Sequence, residues 1–325
     1  MDNEDINPIF LFSLPRAGST LLQRIIATSK HIATVAEPWV LIPLFYSLKE
    51  KNIFAEYNHH VLVNALHDFC DHLPGGESDY YAEVRDFVLG LYLKAADGDA
   101  HYFLDKTPRY HLIAKEIIRT FPEGKFIFLW RNPLAIASSM IETWGKGKWN
   151  LYRYKVDLYK GMENLIEAYL GNKDNVYSIK YEEILAGDAF YLDKLFNYLG
   201  IEKYEVGDFT EIKLQGRMGD PTGTKQYNML TQKPADKWKK TMANPIRKFW
   251  CRRYLLWLGK YRLNIMGYDQ AHLLNELKEI PTSYKYLVSD IFRMLLGLLY
   301  VWLEPALYRE KIRSFLKRER IYTFR

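Results

Sequence analysis

Arg16 and Gly18 lie in the segment Leu14-Pro15-Arg16-Ala17-Gly18-Ser19-Thr20-Leu21, which has what a cradle for an oxyanion requires. A glycine there lets backbone approach a ligand, successive N–H groups can point into one loop, and a helix beginning near Ser19 adds its positive dipole end. The hydroxyls of Ser19 and Thr20 supply further donors, and Arg16 supplies the charge. This is not a Walker A loop, because GxxxxGK[ST] is missing and no lysine precedes the Ser-Thr pair. On these residues alone, a capped helix after an ordinary strand stays open as a plainer reading.

The elements that must position this loop are legible around it. Ile9 to Leu14 is a short continuous apolar run that suits a buried parallel strand, ended by Pro15 and Gly18. Ser19 and Thr20 are expected to cap the following helix, whose Leu21, Leu22, Ile25 and Ile26 repeat at helical spacing. Lys125 to Trp130 predicts a second strand ending at Arg131, followed by a helix with Pro133 in its first turn. Tyr102 to Leu104 and Val176 to Ile179 predict two more strands, each running into polar residues. Strands alternating with helices imply a parallel sheet covered on both faces, with ligands bound beyond the carboxyl ends of the strands. Residues 44 to 97 read as mainly helical and are expected to wall or cap the acceptor side. Residues 203 to 245, with many Gly, Pro, Lys and Thr, read as a long functional loop.

The 325 residues fit one main α/β domain with insertions, expected over 1–283, and a helical extension over 284–325. With 48% hydrophobic and 26% charged residues, the composition excludes a disordered chain. Cys70 and Cys251 are far apart and lack zinc, redox or disulfide spacing, so buried thiols are expected. Net charge is +6, but residues 309 to 325 hold seven Lys or Arg against two Glu, so most of the excess sits in the tail. That distribution argues against nucleic-acid binding.

The loop resembles the 5′-phosphosulfate loop of the sulfotransferases that use 3′-phosphoadenosine 5′-phosphosulfate (PAPS), whose pattern is P-[KR]-x-G-[ST]-[ST]-L. Arg131 at a strand end and Ser139 eight residues later, about 115 residues after the loop, resemble that family's 3′-phosphate site. An arginine fork and a helix hydroxyl are suitable ligands for a terminal phosphate. Lys180-Tyr181-Glu182-Glu183-Ile184-Leu185 is similar to the Y-E-[DEQ]-[LIM] segment whose tyrosine lies near adenine, which assigns Tyr181 to that place. Lys233, Lys237 and Trp238 resemble the region that closes over the donor in relatives. The resemblance covers residues 8 to 200 and implies a three-layer αβα, P-loop NTPase-like sulfotransferase fold. It also implies PAPS as co-substrate, with Pro15, Arg16, Ala17, Gly18, Ser19 and Thr20 at the 5′ side, and adenosine 3′,5′-bisphosphate as product.

Sulfuryl transfer needs a group to take the acceptor's proton and cations to offset charge on the leaving group. No metal is expected: the eight histidines show no ligand spacing, and adjacent His59 and His60 read as surface residues. Cytosolic small-molecule sulfotransferases use a histidine two residues after a strand-end lysine. In Asp105-Lys106-Thr107-Pro108 that place is Pro108, which moves no proton. Protein-tyrosine and Golgi-type enzymes use a glutamate, in the tyrosine enzymes 21 residues after the loop arginine, and that residue here is Glu37. The resemblance therefore implies Glu37 as base, with His111 in reserve, and Lys106 with Arg16 as transition-state cations. A helix-initiating role for Glu37 and a plain salt bridge of Lys106, to Asp105 or elsewhere, are the plainer alternatives.

Residues 291 to 303 are intensely apolar but too short to span a bilayer. They read either as a packed helix or oligomer contact, or as an interfacial helix whose Arg309, Lys311, Arg313, Lys317, Arg318 and Arg320 meet anionic lipid. Membrane contact would favour a glycolipid acceptor; a soluble glycan, metabolite or peptide is the other possibility, and the oligomeric state stays open. With no basic leader before Ile9, a cytoplasmic enzyme is expected, with the inner membrane face as an alternative. A P-loop kinase and a catalytically silent nucleotide-binding scaffold are the competing functions.

Overall fold

The computed structural model describes residues 6–49, 53, 55, 57–96, 98–187, 189–201, 209, 210, 212, 214, 215, 236–303, 308, 312 and 316. Lys233, most of the expected 203–245 loop and the basic residues from Arg309 to Arg320 lie outside them.

Strands β1 (Asn7–Phe12), β2 (Ile32–Thr34), β3 (Tyr102–Asp105), β4 (Lys125–Trp130) and β5 (Val176–Lys180) form one sheet in the order β2-β3-β1-β4-β5. Every neighbouring pair is parallel. β1 and β4 are buried along nearly their whole length, which is why they read as unbroken apolar runs rather than alternating ones. Phe10 is in register with Phe126 and Phe12 with Phe128, their ring centroids 5.8 and 5.1 Å apart. These aromatic pairs lock the central strands together.

Helix α1 (Ser19–Ile26) connects β1 to β2 in one direction across the sheet, whereas all later crossovers run the other way. Right-handed crossovers then put α1 on one face and α4 (Glu77–Ala95), α5 (Ala114–Thr120) and α7 (Met162–Leu170) on the other. The observed packing of α4 on α5 and of α5 on α7 agrees. This is a three-layer α/β fold. The reversal of direction beside β1 makes the loops after β1, β3 and β4 the natural edge for a ligand.

Two shorter helices, α2 (Leu41–Tyr46) and α3 (His59–Asp71), precede α4, so the mainly helical stretch read from 44 to 97 begins three residues earlier, at Leu41. Between β4 and β5, α6 (Pro133–Gly145) starts as expected with Pro133 in the first turn, capped by Asn132, which accepts from Leu134 N at 2.9 Å. After β5 come α8 (Tyr181–Leu185) and α9 (Ala189–Leu199). The helical C-terminal region adds α10 (Lys237–Thr241), α11 (Pro245–Ile265, broken at Gly259), α12 (Gln270–Glu279) and α13 (Leu287–Leu303). Among the described residues, no helix is long and apolar enough to cross a membrane. Cys70 and Cys251 are buried thiols, as expected. His59 differs from expectation: it is buried, with Nε2 2.8 Å from the Lys49 carbonyl, while His60 stays exposed.

Candidate active site

The loop after β1 turns through two left-handed residues, Arg16 at φ 71° and Gly18 at φ 98°. Gly18 is itself the N-cap of α1, with no side-chain cap, so the expected capping by Ser19 or Thr20 is corrected. Because glycine makes the left-handed turn without a Cβ penalty, the helix starts at Ser19. The Ser19 and Thr20 hydroxyls line a cavity instead, beside N–H groups that a helix start leaves without intrahelical partners. Arg16 is a non-glycine residue in a sparsely populated conformation, which is the kind of strain that clusters at functional loops.

The second anion motif is joined to the first. Arg131 Nη1 donates to the carbonyl oxygen of Arg16 at 2.7 Å, and Arg16 Nε donates to Ser139 Oγ at 3.2 Å. Tyr181 is fully buried between the motifs, with the Arg131 guanidinium 4.2 Å above its ring and Gly18 against the ring edge. It thus contacts both loops and, whereas the resemblance implies a place near adenine, does not itself line the cavity. Ala17 is buried in the core, while Pro15, Arg16, Gly18, Arg131, Ser139 and Lys237 line the cavity. Arg131 is 7% exposed, and its Nε is buried with no hydrogen-bond partner among the described residues. A buried, unpartnered guanidinium N–H on a cavity-lining arginine suits an anionic ligand.

The loop after β2 delivers Glu37. Its Oε1 accepts from Lys106 Nζ at 2.8 Å and its Oε2 from Trp39 Nε1 at 3.2 Å, and the carboxylate borders the cavity. Trp39, left-handed at φ 59°, is itself held by its N–H donating to Thr107 Oγ1 at 3.2 Å. α2 begins only at Leu41, so Glu37 does not initiate a helix. Lys106 is 1% exposed and forms a salt bridge to Glu37 at 2.8 Å, and its charge also acts on neighbouring Asp105. Asp105 accepts from the hydroxyls of Tyr92 (2.5 Å), Tyr110 (2.8 Å) and Thr107 (3.2 Å). Burial pushes its carboxyl up to about 6 despite those donors, and burial beside Asp105 pushes both tyrosines well above their usual range. This cluster fixes the end of β3 and hence the backbone that carries Lys106.

His111 stands apart from Glu37 in environment. It is fully buried, its Nε2 lies 2.9 Å from Asp157 Oδ1, and it does not border the cavity. Burial lowers its pKa, with Asp157 opposing. The Asp157 carboxylate also takes Arg109 Nε at 2.8 Å, and Arg109 does reach the cavity.

The cavity measures about 1410 Å³, beyond the range of roughly 300–1,000 Å³ typical of a site for one small ligand. Its far wall comes from α10 and its surroundings: Trp238 is buried, Thr241 Oγ1 donates to Glu142 at 2.8 Å, and Lys239 bridges Asp236 and Glu276 at 2.8 and 2.9 Å. Those hydrogen-bonded carboxylates raise the Lys239 pKa. Among the described wall residues, eight Lys or Arg face four Glu, a balance suited to an anion. No cluster of His, Cys, Asp or Glu suited to a metal is found among the described residues. Trp39, Trp144 (its ring 6.0 Å from the Arg16 guanidinium) and Arg247 belong to the site without any local sequence signal.

The fold and site thus define an α/β protein whose strand ends present an anion-receptive loop, a second arginine and a lysine–glutamate pair at one cavity. Residues 8–205 match the family model described as the sulfotransferase family, and the chain belongs to that family. It is 31% identical over 151 residues to nodulation protein NoeE of Sinorhizobium fredii, a stretch covering 44% of this chain and 34% of that one. The chain thus spans about a third of the length of the curated relative it matches. Among solved structures it is similar to the sulfotransferase domain from the curacin biosynthetic pathway, at TM-score 0.47 and 20% identity over 73% of this chain and 91% of that one. It is also similar to a sulfotransferase from Alicyclobacillus acidocaldarius, at TM-score 0.43 and 13% identity over 82% and 98% of the two chains.

Proposed function

We propose that the chain transfers a sulfuryl group from PAPS to a hydroxyl or amine of an acceptor, with Glu37 as the general base. The observation that carries this reading is the Glu37 carboxylate, oriented by Lys106 and Trp39, at the wall of the same cavity that the joined Arg16–Arg131 loops line. PAPS supplies the activated sulfuryl group, and its charges match the sites available. The left-handed turn at Gly18, the start of α1 and Arg16 suit the 5′ side, and Arg131 with Ser139 suits the 3′-phosphate.

Glu37 Oε2 retains lone pairs beyond the one engaged by Trp39, because an ionised carboxylate accepts about four hydrogen bonds. It can therefore take the acceptor's O–H or N–H proton as the new bond to sulfur forms. Lys106 is buried behind Glu37 and does not line the cavity, so once the carboxylate has taken the proton its ammonium offsets charge on the departing bridging oxygen at a distance and not by contact. Arg16 serves the same end from the loop side. The cavity has room for donor and acceptor together, and Arg109, fixed by buried Asp157, sits on its wall as a positioning cation. Lys237 borders the same cavity from α10 and is assigned to the donor phosphates.

The test is transfer of labelled sulfate from PAPS across an acceptor panel of glycans, glycolipids, hydroxylated metabolites and tyrosine peptides. Transfer to at least one class, dependent on PAPS and lost in Glu37→Gln, is the expected result. Magnesium-dependent consumption of ATP without any use of PAPS would replace this reading with a kinase.

A further inference from the structure

Every exposed residue that the structure describes on α13 between Val288 and Leu303 is apolar. Val288, Ile291, Phe292, Leu295, Leu298 and Leu299 are 39% to 67% exposed and fall in a single arc of the helix. Asp290, Met294, Gly297 and Tyr300 occupy the opposite arc and face the protein. The helix cannot roll to hide its outer face. Asp290 is fully buried and accepts from Arg247 Nε at 2.7 Å, Trp149 N at 3.1 Å and Asn244 Nδ2 at 3.2 Å. Gly297 rests on Tyr152 so tightly that a Cβ there would stand 2.8 Å from the ring, and the Tyr152 and Tyr300 rings lie 5.1 Å apart. The apolar arc is therefore presented outward by a set of buried polar and aromatic contacts. A contiguous exposed patch of this kind marks an interaction site.

The charge of the neighbouring sequence selects the occupant. Residues 309 to 325 carry seven Lys or Arg against two Glu, starting six residues after Leu303. A second copy of the chain would bring this like-charged segment against itself, since a twofold interface joins the same patch on both subunits. An anionic lipid surface accepts both parts at once, the apolar arc in the headgroup boundary and the cations on the headgroups. At 17 residues, α13 is about 26 Å long, shorter than the hydrocarbon core of a bilayer, so it lies on the surface.

We propose that the outer face of α13 docks on bilayers containing anionic lipid. Ser283, Lys285 and Tyr286, which lead into α13, line the cavity, as does Arg247, the partner of Asp290. Docking thus brings the cavity to the lipid side of the protein, where an acceptor with a lipid anchor can reach it without leaving the membrane. That consequence for the acceptor rests on the sulfotransferase reading; the docking itself does not.

The experiment is flotation of the full chain with vesicles of phosphatidylcholine alone or with about a third phosphatidylglycerol, at low salt and at about 0.5 M salt. A Leu295→Glu/Leu299→Glu variant is run beside it, with thermal unfolding and binding of adenosine 3′,5′-bisphosphate as controls for an intact fold. Binding at least about tenfold stronger to the anionic vesicles, weakened by salt and lost in the variant, is expected. Failure of the parent chain to float, equal flotation of the variant, or a dimer in sedimentation that the variant dissociates without any vesicle binding, would each overturn the proposal. The last of these would assign the face to a second copy.

Discussion

The Tyr181 ring lies so close to Gly18 that a Cβ on the glycine would stand 2.3 Å from Tyr181 Cδ2. Gly18 also sits at φ 98°, where any other residue is strained. Gly18→Ala therefore combines backbone strain with overpacking against a fully buried ring, at an expected cost of about 3 kcal/mol. Thermal unfolding should show a clear fall in midpoint. Binding of adenosine 3′,5′-bisphosphate should weaken by at least about tenfold, because the displaced ring also carries Arg131. A variant with the parent's stability would show that the loop has room the contact denies.

Glu37→Gln keeps the shape of the side chain and removes its basicity. Turnover should fall by about 10²- to 10⁴-fold, the usual worth of a general base, with binding of adenosine 3′,5′-bisphosphate unchanged. Trp39→Phe removes only the donor that aims Oε2, and should lower kcat more than it raises KM. His111→Gln should retain turnover and lose stability, since His111 is buried on Asp157 away from the cavity. Full activity in Glu37→Gln with loss in His111→Gln would reverse the assignment of the base.

The Asp105 carboxyl titrates near 6 in the folded chain against an ordinary 3.8, chiefly because burial disfavours its charge. The folded protein thus holds more protons than the unfolded chain between those values. This group's contribution is complete below 3.8 and is lost as pH rises through about 6. Its size is about 3 kcal/mol. Asp105→Asn cannot titrate, so the stability difference between parent and variant should shrink by up to that amount from pH 4 to pH 7. Urea unfolding across this window is the check, and a constant difference would mean that Asp105 titrates as a solvated carboxyl.

The local features of this chain were readable because they are strand–loop–helix units. The apolar run at Lys125–Trp130 is the observed β4 residue for residue, whereas the run read from Ile9 to Leu14 is shifted to Asn7–Phe12 because Ser13 and Leu14 already enter the loop. Gly18, Arg131 and Ser139 stand where their motifs place them relative to strand ends. The capping of α1 was misread, since a left-handed glycine can do without a hydroxyl cap. Contacts between distant segments left no signal. Asp105 with Tyr92, Trp39 with Glu37 and Thr107, and Asp157 with Arg109 and His111 depend on packing that no spacing encodes. The same is true of the wall from α10 to α12, whose Lys239 reaches Glu276 across the fold.

Calorimetric titration of adenosine 3′,5′-bisphosphate against 5′-AMP, without added metal, probes the proposed donor site at the joined Arg16 and Arg131 loops. Tight binding of the bisphosphate, at least about 100-fold weaker binding of 5′-AMP, and an Arg131→Ala variant that no longer distinguishes the two are expected. Equal affinities in the parent chain, or no binding of either nucleotide, would contradict that site.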